Sequence, residues 1–299
     1  MNATSLRVLT PAKVNLILRV LERRPDGFHA IWSLMHTVGL DDEVLLTLQP
    51  SAASRIVLRC DHAALGADQS NLVYRAAQLV LARIDRPVDL SIVLTKRIPL
   101  GAGLGGGSSD AAATILGLTR LLGVNWSVQQ MAEVGQQLGS DVPFFFVGPA
   151  ACVTGRGEEV RSVQVTGSRW IVLVNPGFPV ETKWAYQQLS ATRAGTRPLS
   201  PELLQLGSRP VVDWSEIIPL VENDFEAPVF RQHPVLAEIK TQLLEQGAEV
   251  ALLSGSGATM FGVFPGRTDA ERAAAVLARD SRMKVYAVPA AGTPVMSAV

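Results

Sequence analysis

Between an apolar, strand-like segment (Leu90 to Leu94) and an Ala-rich helical one (Ala111 to Leu122, closed by Gly123) lies the run Pro99-Leu100-Gly101-Ala102-Gly103-Leu104-Gly105-Gly106-Gly107-Ser108-Ser109-Asp110. It forces a strand–loop–helix unit whose loop is almost bare of side chains. Such a backbone can wrap closely around an anion and aim several N–H groups at it. A helix opening at Ser108 or Ser109 would add its positive dipole end and its unpaired N–H groups. The run reads as a phosphate cradle.

Other glycine loops fit less well. Gly101, Gly103 and Gly106 match G-x-G-x-x-G, but a dinucleotide site expects an acidic residue about 20 positions later. The stretch Leu121-Leu122-Gly123-Val124-Asn125-Trp126 carries none. A Walker A loop needs G-K-[ST], and no Lys follows these glycines. The H-R-D and D-F-G elements of protein kinases do not occur.

Composition narrows the class further. Lys and Arg number 27 against 27 Asp and Glu, a balance that argues against a nucleic-acid or anionic-membrane partner. Cys60 and Cys152 form no C-x-x-C or Cys/His cluster, so neither a disulfide framework nor a zinc site is expected. The start, Met1 to Leu6, lacks the regions of a signal peptide, and a cytoplasmic enzyme with no membrane span is the expectation. At 299 residues there is length for two domains.

Strands and helices alternate along the chain. Strand patterns cover Leu9 to Val20, Val44 to Leu48, Ile56 to Cys60 and Leu90 to Lys96; helical periodicity covers Asn71 to Ile84 and Ser127 to Leu138. Strands then follow around Ala151 to Thr154, Val160 to Val165 and Trp170 to Val174. Ser190 to Trp214 is polar and Pro-rich, an excursion between helices. The last third reads as helix (Pro234 to Gln246), strand, a Ser254-Gly255-Ser256-Gly257 turn, strand (Thr259 to Phe264), helix and strand. The mixture predicts an α+β protein.

Three separated segments carry a recognisable pattern: Pro11-Ala12-Lys13-Val14-Asn15-Leu16 with Pro25-Asp26-Gly27-Phe28-His29, the glycine loop, and Leu253 to Met260. Together with Gly139-Ser140-Asp141-Val142-Pro143-Phe144 they resemble the motifs of the GHMP small-molecule kinases, in order and over essentially the whole chain. The resemblance is closest to the branch acting on a cytidyl-diphosphate sugar alcohol in the non-mevalonate route to isoprenoid precursors; mevalonate- or homoserine-type kinases are the alternative. It implies a two-domain fold. An N-terminal domain (1–165) like domain 2 of ribosomal protein S5 would carry the loop, and a ferredoxin-like C-terminal domain (166–299) the glycine turn. It also implies ATP with Mg²⁺, a small-molecule partner, and a monomer or homodimer.

The same resemblance gives roles to residues. Asp141 becomes the base that takes the acceptor hydroxyl proton, although Asp followed closely by Pro is also an ordinary helix start. Lys13 becomes its cationic partner. Asn15, two positions on and so on the same strand face, would touch substrate or orient Lys13. Phe28 and His29 would meet the cytosine ring, with Phe28 in a place where the family commonly has Tyr, so the stacking face stays and a hydroxyl is lost. Thr182 and Tyr186 would add a threonine contact and a second aromatic. Pro99 to Ser109 would hold the triphosphate, and Asn71 and Lys96 the adenosine side. Asn71 reads equally well as a helix cap, and Lys96, on an apolar strand face with no evident partner, is an odd place for a charge. Ser254 to Thr259 is expected to turn tightly beneath the phosphate loop.

Overall fold

The computed structural model describes residues 3–84, 86–193 and 195–291; the end of the expected C-terminal domain, 292–299, lies outside them. The chain opens with a long hairpin, β1 (Thr4–Arg23) and β2 (His29–Pro50). Then come β3 (Arg55–Cys60), α1 (Leu72–Ile84), β4 (Val88–Thr95), α2 (Gly106–Leu121) and α3 (Val128–Gln136). A 3-10 turn, Pro143–Phe146, leads to β5 (Ala150–Thr154), β6 (Glu159–Ser162), β7 (Gln164–Thr166) and β8 (Trp170–Asn175). Next are α4 (Thr182–Thr192), α5 (Pro201–Ser208), β9 (Val211–Asp213), α6 (Trp214–Ile217), β10 (Glu222–Asn223) and α7 (Glu226–Gln232). The chain closes with α8 (Pro234–Glu245), β11 (Val250–Leu253), β12 (Met260–Phe264), α9 (Arg267–Leu277) and β13 (Lys284–Pro289).

The first sheet has seven strands in the order β10-β1-β2-β4-β3, with β5 on β2 and β6 on β5. β2 is its spine. Along one edge it pairs with β1; along the other it gives Ser33–His36 to β5 and Glu43–Pro50 to β4. Register shifts between Pro11 and Ala12 and between Asn15 and Ile17 bend the hairpin at its centre, as bulges do. The second sheet is antiparallel, β11-β12-β8-β13.

Three apolar cores stack these parts. One joins α1, α2 and α3 to the first sheet through Leu46, Ile92, Ala113, Ile115 and Phe144. A second lies between the sheets, with Val14, Leu16 and Trp32 facing Leu173, Phe261 and Val263. The third seats α8 and α9 on the far face of the second sheet through Leu236, Ile239, Ala270 and Leu277. The Ala-rich face of α2 exists for close approach: a Cβ at Gly117 would lie 2.4 Å from Leu46. The Ser190 to Trp214 excursion contains α5, started by Pro201 and capped by the Ser200 hydroxyl.

The two-domain α+β expectation holds, with one crossing. β10 belongs to the second half of the chain, yet it pairs with β1 through Ile17 and Leu18. We propose residue 165 as the domain boundary with that exchange. No helix among the described residues is long and apolar enough to cross a membrane.

Candidate active site

The glycine loop bridges β4 to α2, and its glycines alternate in the left-handed region: Gly101, Gly103 and Gly105 have φ of 60°, 76° and 69°. Two of them also admit close neighbours. A Cβ at Gly103 would fall 2.0 Å from the Ser254 carbonyl oxygen, and one at Gly105 would lie 2.9 Å from Lys13 Cγ. The helix opens at Gly106 with Gly105 as its cap residue and no side-chain cap, earlier than the serines. Its first two N–H groups therefore belong to bare glycine backbone. Ser109 Oγ, in the first turn, is buried with no hydrogen-bond partner. Residues 254–259 brace the loop from below, as expected. Ser254 Oγ donates to the Gly103 carbonyl at 3.0 Å, the Thr259 N–H to that of Ala102 at 3.3 Å, and Asn223 Nδ2 ties Leu253 and Gly255 at 2.8 Å each.

Under the loop sits the central bend of β1. Lys13 donates its backbone N–H to the Leu104 carbonyl, and its side chain, 4% exposed, brings the ammonium to two oxygens. Nζ is 2.7 Å from Asn15 Oδ1 and 3.4 Å from Asp141 Oδ2. Asn15 is oriented in turn, its Nδ2 donating to Ser33 Oγ at 2.9 Å, which donates to the Ile17 carbonyl. Asp141 precedes the 3-10 turn whose cap position is Val142, so its carboxylate is free of capping duty. It is 29% exposed. Ser108 faces Gly139, two residues before it. A buried ammonium and a part-open carboxylate thus pair beside the glycine loop.

Beside this pair is an aromatic corner. His29 and Tyr186 stack with ring centres 5.4 Å apart and planes 16° from parallel. Tyr186 also meets Phe225 edge-on at 4.8 Å. His29 Nε2 is 3.2 Å from Ser190 Oγ. Burial, seconded by the charge of Asp141, pushes the Tyr186 hydroxyl up to about 12, so the phenol stays neutral and able to donate. Phe28 stands outside the stack, 57% exposed. Thr182 is the first residue of α4 after the cap residue Glu181, and its hydroxyl meets Ser256 Oγ at 2.9 Å, joining the aromatic helix to the glycine turn.

Known proteins share this layout. The pattern described as "GHMP kinases N terminal domain" matches residues 71–149, and "GHMP kinases C terminal" matches 210–281. A 4-diphosphocytidyl-2-C-methyl-D-erythritol kinase of Geobacter metallireducens is 39% identical over 96% of this chain and 99% of its own. The enzyme of that name from Syntrophotalea carbinolica is 41% identical over 94% and 97%. The chain belongs to the GHMP kinase family. The crystal structure of a 4-(cytidine 5'-diphospho)-2C-methyl-D-erythritol kinase superposes with a TM-score of 0.78 at 34% identity, covering 96% of this chain and all of the other. A homoserine kinase from Cytophaga hutchinsonii, at 21% identity and TM-score 0.72, shares the fold.

The two residues expected on the adenosine side of this GHMP kinase, Lys96 and Asn71, both make contacts within the protein. Lys96 does not lack partners. Its Nζ contacts Asp42 and lies 2.7 Å from Asp110 Oδ2, all three side chains being at most 2% exposed. Burial opposes its charge, but Asp110 and Asp42 outweigh that and raise its pKa. Asp110 also accepts from Thr10 at 2.7 Å. Burial lifts its carboxyl to about 6 against the pull of Lys96. Asn71 caps α1, its Oδ1 accepting from the Val73 N–H at 3.0 Å while Nδ2 donates to the Gly66 carbonyl.

Sequence reading passed over Asp42. Its Oδ1 accepts the N–H groups of Arg97 and Ile98, so it holds the chain just before the loop while Asp110 holds it just after. Lys96 links the two ends. An acidic pair, Asp41-Asp42, in the middle of an apolar strand was the available signal.

Proposed function

We propose that the chain transfers the γ-phosphoryl group of ATP to the 2-hydroxyl of 4-diphosphocytidyl-2-C-methyl-D-erythritol, giving the 2-phosphate and ADP. The observation that carries this is the Lys13–Asp141 pair, 3.4 Å apart, under a glycine loop that opens a helix. Phosphoryl transfer asks mainly for positioning and charge neutralisation. The loop N–H groups and the unpartnered Ser109 Oγ offer donors to phosphate oxygens. Asp141 accepts the hydroxyl proton as the acceptor oxygen bonds to phosphorus and the bond to the ADP oxygen breaks. Lys13 offsets the negative charge gathering at that oxygen, and Asn15 keeps the ammonium aimed.

Mg²⁺ bound together with ATP would supply positive charge to offset the triphosphate. Ser108, beside the Asp141 loop, is the hydroxyl we assign to phosphate or metal. Among the described residues no cluster of three His, Cys, Asp or Glu side chains forms a metal cage. His29, Tyr186 and Phe28 are the residues we assign to the base: stacking faces, with an imidazole able to donate and accept at a cytosine edge. Thr182, bonded to Ser256 at 2.9 Å, would contact substrate from the start of α4.

The test is ADP release from ATP with the cytidyl substrate, mevalonate and homoserine offered in parallel. Turnover confined to the cytidyl compound is the expected result. Turnover on mevalonate or homoserine would retain the phosphate loop and discard the base pocket.

A further inference from the structure

The turn between β5 and β6 carries an arginine that the transfer chemistry does not use. Arg156 stands between Gly155 and Gly157, with φ of 69° and 118°. Both flanks are pinned. The Gly155 carbonyl accepts the Ile31 N–H at 2.8 Å, two residues beyond His29. A Cβ at Gly157 would lie 2.9 Å from the Ser140 carbonyl oxygen, next to Asp141. The turn is therefore wedged between the base hairpin and the loop of the acceptor carboxylate.

The Arg156 guanidinium lies over the Phe28 ring, 4.5 Å from its centre. Among the described residues its ion-pair partner is Asp26, 3.7 Å away, and both side chains are more than a third exposed. Exposed pairs of this kind contribute little, so the fork is held loosely and can turn to a better anion. Two other cations stand here: Arg24, between Asp26 and Glu158, and Arg23, whose Nε donates to the Gly27 carbonyl at 3.3 Å. In the substrate, a diphosphate separates the base from the sugar alcohol. Residues 155–157 touch both the strand after His29 and the Ser140–Asp141 loop, so a diphosphate joining a base at Phe28 and His29 to a hydroxyl at Asp141 would pass beside them.

We propose that Arg156 binds the substrate diphosphate, its fork taking phosphate oxygens while its plane stays over Phe28. The inference rests on the cytidyl-substrate reading above. Planar, bidentate recognition of phosphate is the chemistry guanidinium suits best, and the ring beneath favours the cation further. Mevalonate and homoserine carry no diphosphate, so Arg156 would also discriminate among alcohols.

The experiment uses the full-length enzyme as wild type, Arg156→Ala, Arg156→Lys and His29→Ala. It measures KM for the cytidyl substrate and for ATP, and inhibition by cytidine and by CDP competing with that substrate. Arg156→Ala should raise KM for the cytidyl substrate roughly tenfold or more, the worth of a charge-assisted hydrogen bond. KM for ATP should hold, CDP inhibition should weaken and cytidine inhibition should not. Arg156→Lys should recover part of the loss. Equal weakening of cytidine and CDP would overturn the diphosphate role and place Arg156 on the base. No change in Arg156→Ala while His29→Ala weakens both inhibitors would overturn Arg156 alone. His29→Ala without effect on either would remove the base pocket itself, and this inference with it. A parallel rise in KM for ATP with lost thermal stability would reduce Arg156 to a turn residue.

Discussion

Lys13 is a cation with two oxygen partners and almost no water, so its charge is directed at the neighbouring carboxylate and whatever binds beside it. Asp141→Asn keeps the shape and removes the proton acceptor. Turnover should fall by about 10²–10⁴-fold while ATP still binds by titration calorimetry; unchanged turnover would take the base role from Asp141. Gly103→Ala tests the loop. Its Cβ would meet the Ser254 carbonyl oxygen at 2.0 Å at a positive φ, so KM for ATP should rise sharply with kcat less affected, read from initial rates. The pairing of Lys13 with Asn15 was legible because strand residues two apart share a face. The partners of Lys96 were not: Asp42 lies 54 residues before it and Asp110 14 after, and only the fold brings them together.

At the scale of elements, α2 and the strand before it are tied by the Asp42–Lys96–Asp110 cluster, so the loop between them has fixed ends. The cluster has a pH signature. Asp110 has a folded pKa of about 6, above its ordinary value of 3.8, so the folded state holds this proton more tightly than the unfolded chain. Its contribution is fully present below the unfolded value and is lost as pH rises toward 6. Asp110→Asn should flatten that part of the stability profile, measured by urea unfolding between pH 4 and 7; an unchanged slope would mean the carboxyl does not titrate there. Helix α2 was legible from its Ala run, but not its start, because Gly106 and Gly107 are poor helix formers placed for backbone access. Most of β2 escaped notice too. Its Ser33, His36, Thr37 and Asp42 are buried polar residues that interrupt the apolar alternation a strand normally shows.

Across the whole molecule, the two halves of the chain are sewn together at Arg19. The side chain is 2% exposed and meets Glu222 at 3.0 Å, Asp224 at 3.3 Å and the Arg197 carbonyl at 2.8 Å. Arg19→Met should destabilise the protein by about 3 kcal/mol, the low end for breaking a buried pair, because Arg193 and Arg197 still attend the carboxylates. Denaturant unfolding would show this, with KM for ATP unchanged; a loss well under 1 kcal/mol would mean the carboxylates do not depend on Arg19. The same geometry sets an order of events during synthesis. β1 is made before β10, and the carboxylate that answers Arg19 follows 203 residues later. At ~5–20 residues per second that is a wait of roughly 10–40 s. Through that interval the nascent sheet carries an open edge of the kind that recruits stray strands, and the chain is at its most vulnerable to misassembly before β10 is made.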